Sequence, residues 1–372
     1  MAAPVDIMSE KSEKCEFVSI MPDSPPTSLL TMPEDVMRKI MEEIEYVDIQ
    51  RLRKTCFTLR NIIDTIKPKP GLDHIDISGS ADNLSVSFYG FQKWALYPRG
   101  PKVWIEYRKT NITWHRSDED REKTMDNENF LDVFSRDFGS FLSFKPIIGR
   151  FSITSEQNGL KTIRKSLESS GKTPLKVRFL SISNATCQED VLDILPFICP
   201  KSLEILRINC FRDDPTDTNF VEELTRGKFE IWDISKIMEL EHWKKVENWD
   251  MRRIKVQVGS QNIEHFRDAK FCMKQLTVED MIRVKENFLH STYSKYLLLF
   301  FQRLPDKDVL NERFGQPHRL QNHTYYSPFP TQSWFFRRPD NFVICIDLTE
   351  NCFVFDLKHI EYVPEEVRMN FL

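Results

Sequence analysis

One short pattern recurs six times between residues 148 and 278 and constrains the fold more than any other feature. Each unit has an apolar residue, two residues of any kind, a second apolar residue, one residue of any kind and an aliphatic residue. Successive units begin 29, 26, 26, 22 and 22 residues apart. Such steps are typical of solenoids, whose short strands and helices bury their apolar faces only when neighbouring units stack. The units are Ile148/Phe151/Ile153, Val177/Leu180/Ile182, Leu203/Leu206/Ile208, Phe229/Trp232/Ile234, Met251/Ile254/Val256 and Met273/Leu276/Val278.

The segments between the units show helical spacing. Apolar residues in them recur three and four positions apart, and Thr277 with Asp280 matches a helix cap ahead of Met281. The chain is therefore predicted to be an α+β or α/β protein, with an irregular α/β arc of parallel strands and helices. The arc resembles leucine-rich repeats, but it lacks the asparagine that forms a ladder through their turns.

Alternating apolar and polar residues predict further strands on either side of the arc. Phe342 to Leu348 and Cys352 to Leu357 flank a short polar turn, which predicts a C-terminal β-hairpin. The segment from Arg303 to Asp340 is predicted to be an irregular connection, and the charged stretch from Arg116 to Asn129 a loop. A small antiparallel meander is predicted ahead of the arc, with strands at Leu72–Ser78, Leu84–Tyr89, Val103–Tyr107 and Ile112–His115.

The N-terminal part divides into a tail and a helical module. Residues 1–28 are rich in Ser, Pro, Glu and Lys, a composition typical of a disordered tail. Thr31 and Glu34 then have the spacing of a capping box, which predicts the start of a helix, and Asp48 is predicted to cap a second one. Residues 29–68 are therefore predicted to form three short helices, too few to enclose a large core.

The residues of this module resemble an F-box. The entry Leu30-x-x-Pro33-Glu34, the centre Asp48-Ile49 and the exit Cys56-x-x-Leu59-Arg60 fall in the order of that motif. Met32 stands where leucine is commoner, a change that conserves volume. The resemblance implies binding to a Skp-type adaptor protein and, through it, to a cullin. The residues to which it assigns adaptor contact are Leu30, Met32, Pro33, Val36, Ile40, Ile44, Ile49, Leu52 and Cys56.

The order of segments along the chain resembles that of nematode F-box A proteins, which carry an F-box, a short β region and an FTH domain of weak leucine-rich character. The resemblance implies an F-box at residues 29–68, a β-rich connecting region at 69–129 and an FTH-type domain at 130–372. It also implies an adaptor whose second domain recognises other proteins.

A candidate surface for a target protein lies on the predicted strands of the arc. Side chains alternate between the two faces of a strand, so the third and fifth positions of each unit are predicted to point away from the core. Phe179, Ile205 and Ile231 would form an exposed apolar strip there, and apolar patches with polar rims mark partner surfaces. An alternative is that the meander or a C-terminal strand covers the strip. The charged residues predicted beside the strip are Arg207, Asp233, Arg253 and Lys255.

Composition excludes several other kinds of protein. No two of the 11 glycines are closer than Gly71 and Gly79, so the paired glycines of dinucleotide sites, phosphate-binding loops and nucleophile elbows are absent. The eight cysteines include no CxxC pair, so no zinc ribbon, metal site or cofactor is predicted. A net charge of −4 offers no footprint for nucleic acid. The longest apolar run found in the second half, Tyr296 to Phe301, is too short to span a membrane.

These observations predict a non-catalytic protein of the cytoplasm, the nucleus or both. It is expected to be the substrate-recognition subunit of a Skp-cullin-F-box ubiquitin ligase, which holds an unknown target protein near the subunit that carries ubiquitin. The alternative is a repeat-type scaffold that binds proteins without ubiquitin transfer. A ligase with its own catalytic cysteine is disfavoured, because no pattern around the cysteines predicts a lowered thiol pKa.

Overall fold

A computed structural model describes most of the chain between residues 29 and 371. The described ranges are 29–44, 46–66, 68, 71–80, 82–89, 103–116, 121–124, 128–142, 146–155, 157–169, 174–210, 231–257, 259, 262–301, 306–320, 331–349 and 352–371. The tail predicted at residues 1–28 lies outside them. The fold is mixed α/β, with helices at the N-terminus and one large mixed sheet after them.

The N-terminal module contains three ten-residue helices: α1 (Glu34–Glu43), α2 (Tyr46–Thr55) and α3 (Phe57–Ile66). The predicted capping box is wrong, because a short 3-10 helix at Leu29–Thr31 keeps Thr31 away from α1. Pro33 is the N-cap of α1 and no side chain caps it. Asp48 does not cap α2 either, since it lies in the first turn of that helix.

The meander consists of β1 (Gly71–Gly79), β2 (Asn83–Tyr89), β3 (Val103–Arg108), β4 (Asn111–Arg116) and β5 (Arg121–Thr124). All five strands are antiparallel to their neighbours within the meander. The prediction of a loop at Arg116–Asn129 is therefore wrong at β5, which pairs with β4 at the end of the sheet. A short edge strand rich in charge lacks the apolar alternation by which the other four strands were predicted.

The central part of the chain alternates strands with helices. In order it contains α4 (Phe130–Leu142), β6 (Ile147–Ser155), α5 (Gln157–Ser169), β7 (Lys176–Ser183), α6 (Gln188–Leu192), β8 (Ile205–Asn209), β9 (Ile231–Trp232), α7 (Ser235–Glu239), α8 (Glu241–Lys245), β10 (Asn248–Val256), β11 (Asp268–Met273), α9 (Val278–His290) and β12 (Tyr296–Phe301). The predicted cap at Thr277 is present: its hydroxyl accepts from the Asp280 amide at 3.1 Å, and the Asp280 carboxylate accepts from the Thr277 amide.

The C-terminal part adds α10 (Lys307–Phe314), β13 (His318–Leu320), β14 (Thr331–Arg337), β15 (Phe342–Leu348), β16 (Cys352–His359) and α11 (Glu365–Arg368). The predicted hairpin corresponds to β15 and β16, which are antiparallel. The irregular connection predicted at Arg303–Asp340 is wrong where α10, β13 and β14 form, because prolines, glycines and aromatic residues in that segment hid their patterns.

All sixteen strands in the described ranges belong to one sheet. Its order is β13-β14-β15-β16-β12-β11-β10-β8-β7-β6-β1-β2-β3-β4-β5, and β9 pairs with the end of β10. The strands from β1 through β6, β7, β8, β10 and β11 to β12 are parallel, and antiparallel strands extend the sheet on both sides. The meander therefore continues the sheet sideways.

The predicted units align correctly at first and then slip. Phe151, Leu180 and Leu206 are neighbours across three strands, as the pattern predicts. The alignment fails at β10, where Val256 pairs with both Trp232 and Met273. The slip begins where β8 pairs with Trp249 instead of Ile254, and a register shift between Met251 and Lys255 then offsets β11, because an irregularity of this kind inserts residues into one strand only.

The last predicted unit is also misplaced. Leu276 lies beyond the end of β11, and Val278 is the first residue of α9. The strand that follows in the sheet is instead the apolar run Tyr296–Phe301, which the spacing pattern does not include. Central parallel strands often appear as continuous apolar runs, because both of their faces are buried.

The main core lies between one face of the sheet and its helices. Its largest fully buried side chains include Trp249, Phe134, Phe151 and Phe271. A smaller cluster around Cys272 and Phe300 lies on the other face. Alternation along each strand thus leaves the second face of β1, β6, β7 and β8 with a different set of side chains, which form the site described below.

Candidate functional site

The three-helix module has a small core of its own. Met37, Met41, Ile49, Ile63 and Ile66 are at most 4% exposed and form a cluster distinct from the core of the sheet. Ile49, predicted to contact an adaptor, is 1% exposed, so its predicted position on the surface is corrected: it holds α2 in this cluster. The module therefore has a buried interior that does not include Leu30, Pro33 or Val36.

Several of those remaining apolar residues stay on the surface. Leu30 is 44% exposed, Val36 39% and Phe57 73%; we call these three side chains the docking surface. Pro33 and Cys56 are also exposed, and Ile40 is half-buried. The other predicted contacts are half-buried against the module core: Met32, Ile44 and Leu52. Sequence reasoning missed Phe57, because it lies at the first position of α3 and outside the apolar stripe.

Polar side chains fix the three helices in place beneath this surface. Arg38 on α1 donates to the backbone carbonyl of Ile66 at 3.3 Å and to Glu34 at 2.7 Å. Arg53 on α2 donates two hydrogen bonds, at 2.7 and 3.1 Å, to the carboxylate of Asp64 on α3. Planar pairing of this kind adds geometric specificity, so the docking surface rests on a defined arrangement of helices.

The second candidate site lies on the sheet face that carries Phe179. Phe179 on β7 is aligned with Arg150 on β6 and with Ile205 on β8. The guanidinium carbon of Arg150 lies 4.6 Å from the centroid of the Phe179 ring, and that of Arg207 lies 5.4 Å from it. Both distances are within the range of cation–π attraction, so one ring holds two cations together.

Each arginine is also held by a polar neighbour. Arg150 donates from Nε to the hydroxyl of Ser152 at 3.1 Å. The Nε of Arg207 lies 3.3 Å from a carboxylate oxygen of Asp250, whose side chain is only 10% exposed. The two guanidinium groups are therefore oriented before any partner arrives.

The row continues to His74 and Tyr89 on the meander side. The two rings are stacked with centroids 4.7 Å apart, and Nε2 of His74 lies 3.1 Å from the Ser152 hydroxyl. Burial, with a further contribution from Arg150, lowers the pKa of His74 to about 4. Burial also raises the pKa of Asp76 above its usual value, while Arg150 opposes that rise. His74 is thus neutral at physiological pH.

The structure corrects the predicted strip at its far end. Phe179 and Ile205 are neighbours and half-buried, but Ile231 pairs with Lys255 on β10 and is 52% exposed. β8 pairs directly with the first half of β10, which places β9 beside the second half. Ile231 therefore does not extend the strip beyond Ile205.

The charged residues predicted beside the strip are dispersed. Lys255 is 4% exposed, so its predicted exposure is wrong: it is aligned with Cys272, which belongs to the buried cluster on this face. Asp233 is exposed after β9, where it accepts a hydrogen bond from the Ser235 amide. Of the predicted set, Phe179, Ile205 and Arg207 come together, while the side chain of Arg253 lies outside the described part. Sequence reasoning missed Asp76 and Asp250 as part of this surface, because only register reveals their positions.

Within the described ranges, no group of His, Cys, Asp and Glu side chains has the arrangement of a metal site. Burial raises the pKa of the Cys272 and Cys345 thiols to about 12 and that of Cys352 to about 11. Such thiols stay protonated at neutral pH and make poor nucleophiles. No helix among the described residues is long and apolar enough to cross a membrane.

Comparison with known families agrees with this architecture. The F-box domain model matches residues 29–70 and the FTH domain model matches residues 157–315. F-box A protein 224 of Caenorhabditis elegans is 20% identical over 327 residues, which cover 84% of this chain and 77% of that protein. The comparison with solved structures finds no match.

The helical module and the large mixed sheet are therefore those of an F-box protein with an FTH domain. The two domains occur in the order expected of nematode F-box A proteins, and the chain is similar to one such protein over most of its length. The FTH match begins at α5 and ends just after α10, so it includes the strands that carry Phe179 and Arg207 but not the meander.

Proposed function

We propose that the chain is the substrate-recognition subunit of a Skp-cullin-F-box ubiquitin ligase. One observation carries the proposal: Leu30, Val36 and Phe57 remain exposed although the core of the F-box is complete without them. Exposed apolar side chains beside a finished core favour a protein partner. The F-box match favours a Skp-type adaptor as that partner, with a cullin bound through the adaptor.

The sheet supplies the second binding function of this proposal. Its parallel strands and helices form an irregular arc with leucine-rich-repeat-like character, and its polar face holds the target protein. The protein then acts as an adaptor without a reaction of its own, in the cytoplasm or the nucleus. Its effect is to raise the local concentration of target lysines near a ubiquitin-carrying subunit.

Adaptor capture by the full chain tests the proposal. Leu30→Asp combined with Val36→Asp places two carboxylates in the docking surface. Because burying each native side chain contributes about 1.5–3 kcal/mol, adaptor affinity should fall at least about tenfold. Thr58→Asp adds the same carboxylate at an exposed position on α3 and is the matched control; it should leave affinity unchanged.

Thermal unfolding of each variant distinguishes lost contact from lost fold. Equal capture by the double variant and the wild type would show that the docking surface is not the adaptor site. Absence of capture by the wild-type chain would refute the ligase proposal and leave the repeat-type scaffold, which binds proteins without ubiquitin transfer.

A further inference from the structure

Five adjacent parallel strands carry a symmetrical sequence of charges on one face. In the order β1, β6, β7, β8 and β10, the side chains are Asp76, Arg150, Phe179, Arg207 and Asp250. They occupy two successive registers of that face: Arg150 is aligned with Phe179, whereas Asp76 is aligned with Ser152, and Arg207 with Ser181 and Asp250. The order is therefore acid, base, ring, base, acid. We call these five side chains the central row.

The two cations meet at the middle of the central row, while the two carboxylates lie at its ends. The two guanidinium carbons lie 4.6 and 5.4 Å from the centroid of the Phe179 ring. Asp76 and Asp250 are each two strands away from Phe179, about 10 Å at about 4.8 Å per strand, and lie in the next register along the sheet. Because Coulomb energy falls with distance, the attraction exceeds the repulsion at this point. The middle of the row is thus a positive site on a face whose total charge is balanced.

A buried hydroxyl lies beneath the same point. Ser181 follows Phe179 by two residues on β7, so both side chains lie on one face of the sheet. Ser181 is aligned with Ser152 on one side and with Arg207 on the other, and it is only 3% exposed. A hydroxyl, which can donate or accept, therefore lies on the strand between the two that carry the arginines.

Two features prepare the site for an anion. The arginines are oriented by Ser152 and Asp250 and by stacking on Phe179, so little side-chain freedom remains to be lost on binding. Arginine also presents its N–H groups in a plane that matches the oxygens of carboxylate and phosphate groups. A cationic or neutral side chain on a binding partner would gain neither advantage from this site.

We propose that the middle of the central row binds an anionic side chain, a carboxylate or a phosphate, on a segment of the target protein. The inference rests on the proposed function, since it names the chemistry by which the receptor recognises its target. Phe179 and Ile205 supply the apolar contact beside the anion.

Direct binding of synthetic peptides to the full chain tests the inference. Four labelled ten-residue peptides alternate glycine with glutamate, phosphoserine, glutamine or lysine, and fluorescence anisotropy measures their affinity. The glutamate or the phosphoserine peptide should bind, more weakly as salt rises, and the other two should not. Tighter binding of phosphoserine than of glutamate would identify phosphate as the preferred group, and equal binding would show that a carboxylate suffices.

Matched variants locate the site. Arg150→Gln should lower the affinity of the anionic peptide about tenfold or more, because one charged hydrogen-bonding partner is lost. Arg164→Gln removes the same charge from the exposed surface of α5 and should have no effect. An equal loss in both variants, or equal binding of the glutamine peptide, would overturn the inference.

Phe179→Leu provides a second test that leaves every charge in place. Removal of the ring releases both guanidinium groups, so affinity should fall several-fold with the same salt dependence. Unchanged affinity in this variant, with unchanged thermal stability, would also overturn the site.

Adaptor capture measured on the same samples separates the two proposals. Adaptor binding without peptide binding would reject the anion site and leave the ligase role intact. Peptide binding without adaptor binding would reject the ligase role and leave the anion site.

Discussion

The F-box helices and the sheet present two recognition surfaces of opposite chemistry. On the helices, the exposed residues Leu30, Val36 and Phe57 are apolar and surround a core of five fully buried side chains. On the sheet, the surface is the charged central row, and a far larger apolar core lies behind it. The difference shows how one chain can hold two partners: each surface repels the kind of contact that the other favours.

The two regions also differ in what supports their surfaces. The docking surface depends on a core so small that each of its members matters to the whole module. The central row depends on register between strands, which the main core fixes over many residues. Loss of binding at one surface is therefore expected to leave binding at the other intact, and variants in each core test that independence.

The largest effect is expected for Trp249→Ala in the main core. Trp249 is 1% exposed and packs against Trp243 and Phe266. Its truncation should lower the free energy of unfolding of the sheet by about 3–5 kcal/mol, measured by urea unfolding with circular dichroism. Adaptor capture below the transition should stay at the wild-type level. Loss of adaptor capture together with the sheet would show that the two cores are one cooperative unit.

The reverse experiment uses Met41→Ala in the module core. Met41 is 0% exposed, and truncation of such a methionine costs about 2–5 kcal/mol. Since few other buried residues support these helices, adaptor capture should be lost. Binding of the anionic peptide to the sheet should persist. The nearby exposed variant Lys39→Ala is the control and should retain both activities.

The part of the acid response that histidine causes should be confined to the sheet. Residues 29–68 contain no histidine, whereas burial lowers the pKa values of His74, His242 and His265. For His74 the folded pKa of about 4 lies below the unfolded value of 6.5, so the unfolded chain binds the extra proton first. His74 therefore makes stability fall as pH decreases from about 6.5 to about 4, with its full effect reached below that range.

His74→Gln isolates this contribution, because titrating carboxylates such as Asp76 remain in both proteins. The difference in melting temperature between wild type and variant should change across that pH range, with the wild type losing more as pH decreases. A difference that does not depend on pH would show that His74 carries no such linkage. Circular dichroism of the sheet transition at several pH values makes the measurement.

The sequence predicts the F-box helices more completely than the sheet, and the reason is physical. The F-box helices depend on contacts within forty residues, so spacing alone suffices to find them. It does not find their ends: Thr31 fits a capping box, but the chain forms a 3-10 turn there instead. Phe57 is missed because exposure depends on how helices pack, which helical periodicity does not reveal.

Prediction of the sheet succeeds only as far as constant spacing holds. Phe179 is placed beside Ile205 correctly, because β6, β7 and β8 keep one register. Ile231 then lies beside the second half of β10 instead of beside Ile205, and Lys255 is buried next to Cys272. Asp250 completes the central row from a position that no unit of the pattern marks, since a contact across strands depends on register, which the sequence of one strand does not contain.

The smallest effects should come from one arginine–carboxylate pair in each region. Arg53 donates two hydrogen bonds to Asp64 across α2 and α3, with side chains 32% and 40% exposed. Arg178 donates two to Glu204 from β7 to the residue preceding β8, with side chains 66% and 50% exposed. Both geometries are bidentate, so the pairs differ mainly in exposure to solvent.

Double-mutant cycles with Arg→Met and with Asp64→Asn or Glu204→Gln measure the coupling in each pair. Exposed pairs typically contribute about 0.2–1 kcal/mol, and the less exposed Arg53 pair should fall near the upper end because water screens it less. The coupling of the Arg178–Glu204 pair should be near zero. Salt at 0.5 M should therefore reduce the coupling of the Arg53–Asp64 pair and leave that of the Arg178–Glu204 pair unchanged. Because the module core is so small, even this coupling is a meaningful share of its stability. A larger coupling for the Arg178–Glu204 pair would mean that surface charge pairs stabilise the sheet, the region with the larger core, more than they stabilise the helices.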